Sequence, residues 1–202
     1  MTYKIIIDPG HGGDDPGAEG HGMLEKDVVL EVAQFLRSAL TSLGYQVVLT
    51  REDDCTLKMA ERLSIIHANC GYAVAFLSIH CNSYHTSAPN GYEFFVTHLD
   101  YGREDTIMSH LLAAYLDAEL RPTQPYRITR RRIVDESRSG HTQLTVLHNP
   151  IRAATLFEIG FLSNEVDAEN LSNEGFRRHV AYCLALGLDK FRQEALYYYK
   201  RS

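Results

Sequence analysis

The stretch Ile5-Ile6-Ile7-Asp8-Pro9-Gly10-His11-Gly12-Gly13 sets the frame for the chain. With its three consecutive isoleucines, Tyr3–Asp8 reads as a short apolar strand. Pro9-Gly10 ends it. Six of the fourteen glycines then fall between Gly10 and Gly22, so the strand empties into a loop whose backbone angles other residues avoid. From Lys26 apolar residues return at helical spacing, through Val28, Val29, Val32, Phe35, Leu36, Ala39, Leu40 and Leu43, and Gly44 stops them. Strand, glycine loop and helix in that order open an α/β domain.

The same alternation continues outward. Tyr45–Thr50 reads as a strand, Thr56–Asn69 as a helix and Tyr72–Ile79 as a nearly continuous apolar strand. Asn90-Gly91 turns the chain into a strand over Tyr92–Thr97, and Glu104–Leu120 is helical. Arg121–Gly140 carries prolines and many arginines without a period and reads as a long loop. Leu144–Leu147 is a short strand candidate and Ala153–Ile159 a stronger one. A polar loop and a final helix from about Gly175 to Gln193 follow. The pattern predicts one α/β domain, a mostly parallel twisted sheet of about six strands with helices on both faces. Residues 1–193 form that domain and 194–202 a short tail.

Composition excludes several classes. A chain of 202 residues with 45% hydrophobic content is long enough to bury a core without a staple. A formal charge of −6 argues against nucleic acid as partner, since phosphate binding needs an excess of Lys and Arg. No apolar run is long enough to cross a membrane, and the start lacks the apolar segment of a secretory signal, which predicts synthesis in the cytoplasm. Cys55, Cys70, Cys81 and Cys183 show no zinc spacing and read as thiols of a reducing compartment, a Cys55–Cys70 disulfide being the less favoured reading. Ten histidines are the oddity.

Ligands of open α/β sheets bind beyond the carboxyl ends of the strands. His11 follows the first strand, His80 follows the apolar strand in Ser78-Ile79-His80-Cys81-Asn82, and Glu158 ends the Ala153–Phe157 run. Glu25 stands where the glycine loop becomes a helix. Two histidines and a glutamate are the donor set of a catalytic zinc site that keeps a position open for water. His11, Glu25 and His80 supply it, and Glu158 suits the proton transfers. Competing readings remain: histidines satisfied within the structure, Glu25 as a helix cap, or the glycine loop as a phosphate cradle. The last lacks Gly-Lys-Ser/Thr and the third glycine of the dinucleotide motif. An unpaired carboxylate in an apolar strand is harder to dismiss.

The string Ile6-Ile7-Asp8-Pro9-Gly10-His11-Gly12-Gly13, with Pro16-Gly17-Ala18 and Glu25-Lys26-Asp27, resembles the start of the zinc-dependent N-acetylmuramoyl-L-alanine amidases of bacterial cell-wall cleavage. Val47–Arg51 with Asp54, Ser78–Asn82 and Phe157–Asn164 resemble three further motifs of that family, in order, over nearly the whole chain. The resemblance implies one zinc ion on His11, Glu25 and His80, and Glu158 as catalytic carboxylate. It implies hydrolysis of the amide between N-acetylmuramic acid and L-alanine in peptidoglycan, with a zinc-bound water as nucleophile and Glu158 as general base and then acid.

Two departures stand out: Ala153 replaces a usual proline, and Arg138-Ser139-Gly140 matches the family's upstream element poorly. Asn82, Arg130, Arg131 and Arg132, with Arg127, are candidates for substrate contact, against a solvated basic loop. His21, His141 and His148 are possible substrate neighbours, and His67, His85, His98, His110 and His179 read as incidental. The alternatives are another zinc hydrolase on the same scaffold, a peptidase or deacetylase, and an inactive peptidoglycan-binding or regulatory protein. A monomer acting at the cell wall after release, as an endolysin does, is the expected setting. A delivered toxin or a piece of a longer protein are the others.

Overall fold

In a computed structural model, residues 2–97, 103–123, 130–136 and 144–199 are described. Strand β1 (Lys4–Pro9) runs into the glycine loop, which holds a two-residue hairpin, β2 (Glu19–Gly20) and β3 (Met23–Leu24). Helix α1 (Glu25–Ser42) starts at once, and β4 (Gln46–Leu49), α2 (Met59–Asn69) and β5 (Ala73–Asn82) follow. Then come β6 (Gly91–Val96), α3 (Arg103–Leu120), β7 (Arg130–Asp135), β8 (Ala154–Phe161), α4 (Glu165–Ser172) and α5 (Glu174–Tyr199).

The main sheet has six strands in the order β4-β1-β5-β8-β6-β7. Its ladders are parallel apart from β6–β8. The predicted fold class is therefore the observed one. Period-two alternation splits the apolar residues between two cores. Ile5, Ile7, Leu77 and Phe157 join Val29, Val32 and Leu36 of α1, Leu112 and Leu116 of α3, and Leu184 and Leu188 of α5. On the other face Ile6, Phe76, Phe95 and Leu156 meet Ile66 of α2. Among the described residues, three long helices cover one face and α2 the other, so the strands that read as apolar runs are covered on both sides.

Several local expectations differ from the structure. Arg130–Asp135, expected within a loop, is β7, parallel to β6 in the register Gly91↔Arg130 to Val96↔Asp135. It is the edge strand, which pairs on one side only and tolerates charge, so the apolar pattern of an interior strand is missing. Leu144–Leu147, expected as a strand, is instead a 3-10 turn over Thr145–Leu147 whose Val146 and Leu147 plug the smaller core. Pro150 just beyond it has no backbone N–H to give to a ladder, so no strand continues there. The polar loop after β8 contains α4, capped by Asn164, whose side chain accepts from the Val166 and Asp167 amides. The final helix, expected to stop near Gln193, continues to Tyr199.

Candidate metal centre

The carboxyl ends of β1 and β5 and the start of α1 converge on one point. His11 leaves β1 with φ of 55°, a left-handed conformation that L-residues rarely adopt. Two glycines make room for the side chains gathered there. A Cβ on Gly10 would collide with the His80 imidazole. A Cβ on Gly17, which has φ of +68°, would lie 2.6 Å from Glu25 Oε2 and 2.7 Å from His11 Cδ2. The glycine richness of the loop is thus partly a matter of close approach.

Glu25 Oε1 lies 3.2 Å from His11 Nε2 and 2.9 Å from His80 Nδ1. The Cys81 amide donates to the same oxygen at 2.9 Å, and the Ala18 amide donates to Oε2 at 2.8 Å. The candidate ligand atoms of His11, Glu25 and His80 all fall within 4.8 Å of one another. On its far side His11 Nδ1 meets Asp15 Oδ2 at 2.8 Å. An Nδ1–H donated to that carboxylate leaves Nε2 as the lone-pair nitrogen facing the cluster, the arrangement that orients metal-binding imidazoles. Asp15 was not among the expected site residues; a second acid four residues past His11 in the glycine loop was the available signal.

Charge follows the geometry. Burial alone would raise the Glu25 pKa, but hydrogen bonds and charge from His11 and His80 hold it well below the usual carboxylate range. Burial pushes the His11 imidazole down, yet Glu25 and then Asp15 outweigh it and leave it raised. Two histidines gathered around one ionised carboxylate, each with a nitrogen aimed inward, are a donor set that fits a zinc-like divalent cation.

Glu158 is the register partner of His80 on the neighbouring strand. Its Oε2 is fully buried and meets no hydrogen-bond partner among the described residues. Burial first, then the charges of Glu25 and Glu93, push its pKa far up. Glu93 of β6 is in register with Glu158 on the other side. It is buried and accepts from Asn82 Nδ2 at 3.1 Å, while Asn82 Oδ1 accepts from the Ser83 amide at 2.8 Å. Both ends of the Asn82 amide are therefore engaged within the protein. Of the arginine candidates, Arg132 holds the β7 position in register with Glu93. The side chains of Arg130, Arg131 and Arg132 lie outside the described residues, as do Arg127, Arg138-Ser139-Gly140, His98 and His141. His148 is paired with Glu136 at 3.0 Å, away from the cluster.

Residues 5–190 match the profile of the N-acetylmuramoyl-L-alanine amidase family. The chain belongs to this family. The germination-specific N-acetylmuramoyl-L-alanine amidase of Bacillus subtilis is 30% identical over 211 residues, covering 96% of this chain and 82% of that protein. An endolysin of Bacillus phage SPP1 is 31% identical over 190 residues, covering 93% of this chain and 65% of that protein. Among solved structures, the catalytic domain of the amidase CwlV from Bacillus (Paenibacillus) polymyxa superposes with a TM-score of 0.78 at 28% identity. It covers 95% of this chain and 99% of that one.

Beneath the cluster the amidase buries a second polar layer. Asp8 accepts from Arg62 Nη1 at 2.7 Å, Thr50 Oγ1 at 2.6 Å and Ser78 Oγ at 2.8 Å. Burial would raise its pKa, but Arg62, Thr50 and His80 together hold it lowered. Breaking such a buried pair by removing one partner typically destabilises by about 3–5 kcal/mol. Asp54 closes the amidase loop from outside, accepting from the Gly13 amide at 2.7 Å and from Lys26 Nζ at 2.8 Å. Among the described residues of this amidase no helix is long and apolar enough to cross a membrane.

Proposed function

We propose that this amidase cleaves peptidoglycan with one zinc ion held by His11, Glu25 and His80, and with Glu158 as its acid–base catalyst. The observation that carries the reading is Glu158 Oε2: a buried carboxylate oxygen with no hydrogen-bond partner among the described residues, on a residue in register with a candidate ligand. A carboxylate left so is expensive unless a reacting group or ion faces it.

A zinc ion in this site would supply a Lewis acid for the scissile carbonyl and bring the pKa of water to about 7. The remaining roles fall to side chains. Asp15 holds His11 in the tautomer that points Nε2 inward. Glu25 brings the negative charge that a dication needs, and its own lone pairs are fixed by the Ala18 and Cys81 amides. Glu158 takes a proton from the attacking water and returns it to the departing alanine nitrogen; its raised affinity for protons suits both transfers. Asn82, with Arg130, Arg131 and Arg132 of the edge strand, would border the substrate rather than the reacting bond. Residues 1–193 are read as the catalytic unit. The endolysin relative favours a setting in which the enzyme is released onto the wall.

Glu158→Ala tests the assignment. The variant should fold, bind zinc stoichiometrically and release no stem peptide from purified peptidoglycan. Retained cleavage would remove Glu158 from its role.

A further inference from the structure

Arg51 and Arg62 are buried side chains from opposite ends of the β4–α2 connection, and both reach under the loop that carries His11. Arg51 donates through Nε to the Pro9 carbonyl at 3.1 Å and through Nη2 to that of Gly10 at 2.8 Å. Arg62 donates through Nη1 to the Pro9 carbonyl at 2.8 Å and through Nη2 to the carbonyl of His11. Three successive carbonyls, Pro9, Gly10 and His11, are thus held by two guanidinium groups. The same Arg62 fork is fixed from below by Asp8, and Arg51 is fixed by the carbonyls of Lys26 and Asp53.

We propose that Arg62, with Arg51, is a positioning residue of the metal centre: the pair locks His11 in its left-handed conformation before the ion arrives. The proposal rests on the reading of His11 as a ligand. The reason is geometric. A residue at φ of 55° has no intrinsic preference for that angle, and the imidazole direction follows the backbone. Holding the carbonyls of Gly10 and His11 fixes the two peptide planes that meet at the His11 Cα. A planar fork can span Asp8, Pro9 and His11 together; a single ammonium group at the end of a lysine cannot.

The test is Arg62→Lys, which keeps a cation beside Asp8 but loses the fork. Zinc(II) affinity is measured by competition with a chelator of known affinity, and thermal midpoints are taken on chelator-treated protein. The expected result is zinc binding weakened by about 10–100-fold, the range seen when groups that orient ligands are lost, with the metal-free midpoint lowered clearly less than the zinc-loaded one. Unchanged zinc affinity overturns the proposal. So does a metal-free midpoint that falls as far as the zinc-loaded one, because the arginine then supports only the fold. Should Arg62→Lys not fold, Arg51→Lys is read by the same two measurements. His11→Ala is run alongside: if it still binds zinc like the parent, the ligand reading fails first; if it loses zinc while the lysine variants keep it, the positioning proposal alone fails.

Discussion

His80 and Glu158 are register partners on adjacent parallel strands, so a candidate ligand and the candidate proton carrier share one row across the sheet. The backbone positions of the pair are fixed relative to each other, because shifting one along the sheet requires slipping the β5–β8 ladder. Glu93, in register with Glu158 on β6, extends the row by a third ionisable group. The carboxylates crowd one another, and an ion beside His11, Glu25 and His80 would offset that crowding.

Glu158 raises a prediction about the metal-free protein. Its folded pKa lies far above the unfolded value of about 4.3. The folded chain therefore keeps a proton that the unfolded chain releases. Its contribution to stability falls as pH rises from that unfolded value towards the folded one. Glu158→Gln should thus raise the thermal midpoint of chelator-treated protein at pH 7.5 and change it little at pH 4. Equal shifts at the two pH values would contradict the raised pKa.

Asp8 predicts the opposite slope. Its lowered pKa means that its contribution is present above the unfolded value of about 3.9 and lost as pH falls through the folded one. Asp8→Asn should destabilise at pH 7 by about 3–5 kcal/mol, because Arg62 is left buried without its counter-charge. Urea unfolding at pH 7 and pH 3 measures both parts: the difference between parent and variant should shrink at the lower pH.

Asp15 is exposed and outside the core, so its loss should leave the fold intact. Asp15→Ala is expected to weaken zinc binding by about 10–100-fold through a misoriented His11. A zinc titration against a chelator checks it, and parental affinity would leave Asp15 a surface residue.

Gly17 and Gly22 separate conformational strain from close approach. Both have positive φ, but a Cβ on Gly22 meets nothing within 4 Å, whereas one on Gly17 strikes Glu25 and His11. Gly22→Ala should cost modest stability and leave zinc binding unchanged. Gly17→Ala should abolish tight zinc binding. Similar zinc affinities for the two variants would show that the clash is absorbed.

The parts of this fold that could be read from sequence are those where one physical demand acts on consecutive residues. The nearly continuous apolar run of Tyr72–Ile79 announced an interior strand, and α1 followed from 3.6-residue spacing. His11, His80 and Glu158 stood out because polar groups at the ends of apolar strands need a reason. Edge position hid β7, since Arg130–Arg132 need satisfy only one neighbour. Shortness hid α4, which depends on the Asn164 cap more than on an apolar face. Asp15 and Arg62 were invisible as site residues because their roles consist of contacts made only after folding; Arg62 and His11 are 51 positions apart. The family resemblance supplied the chemistry, and it did not supply the layer beneath.

Everything proposed for this site turns on a metal at His11, Glu25 and His80 driving cleavage of the bond between muramic acid and L-alanine. Digesting purified peptidoglycan with and without a chelator, and reading the products by mass spectrometry, tests it most directly. Intact stem peptides with a free L-alanine amine are expected, none in chelator, with recovery when zinc is restored. Peptides cut within the stem, or cleavage indifferent to the chelator, would contradict it.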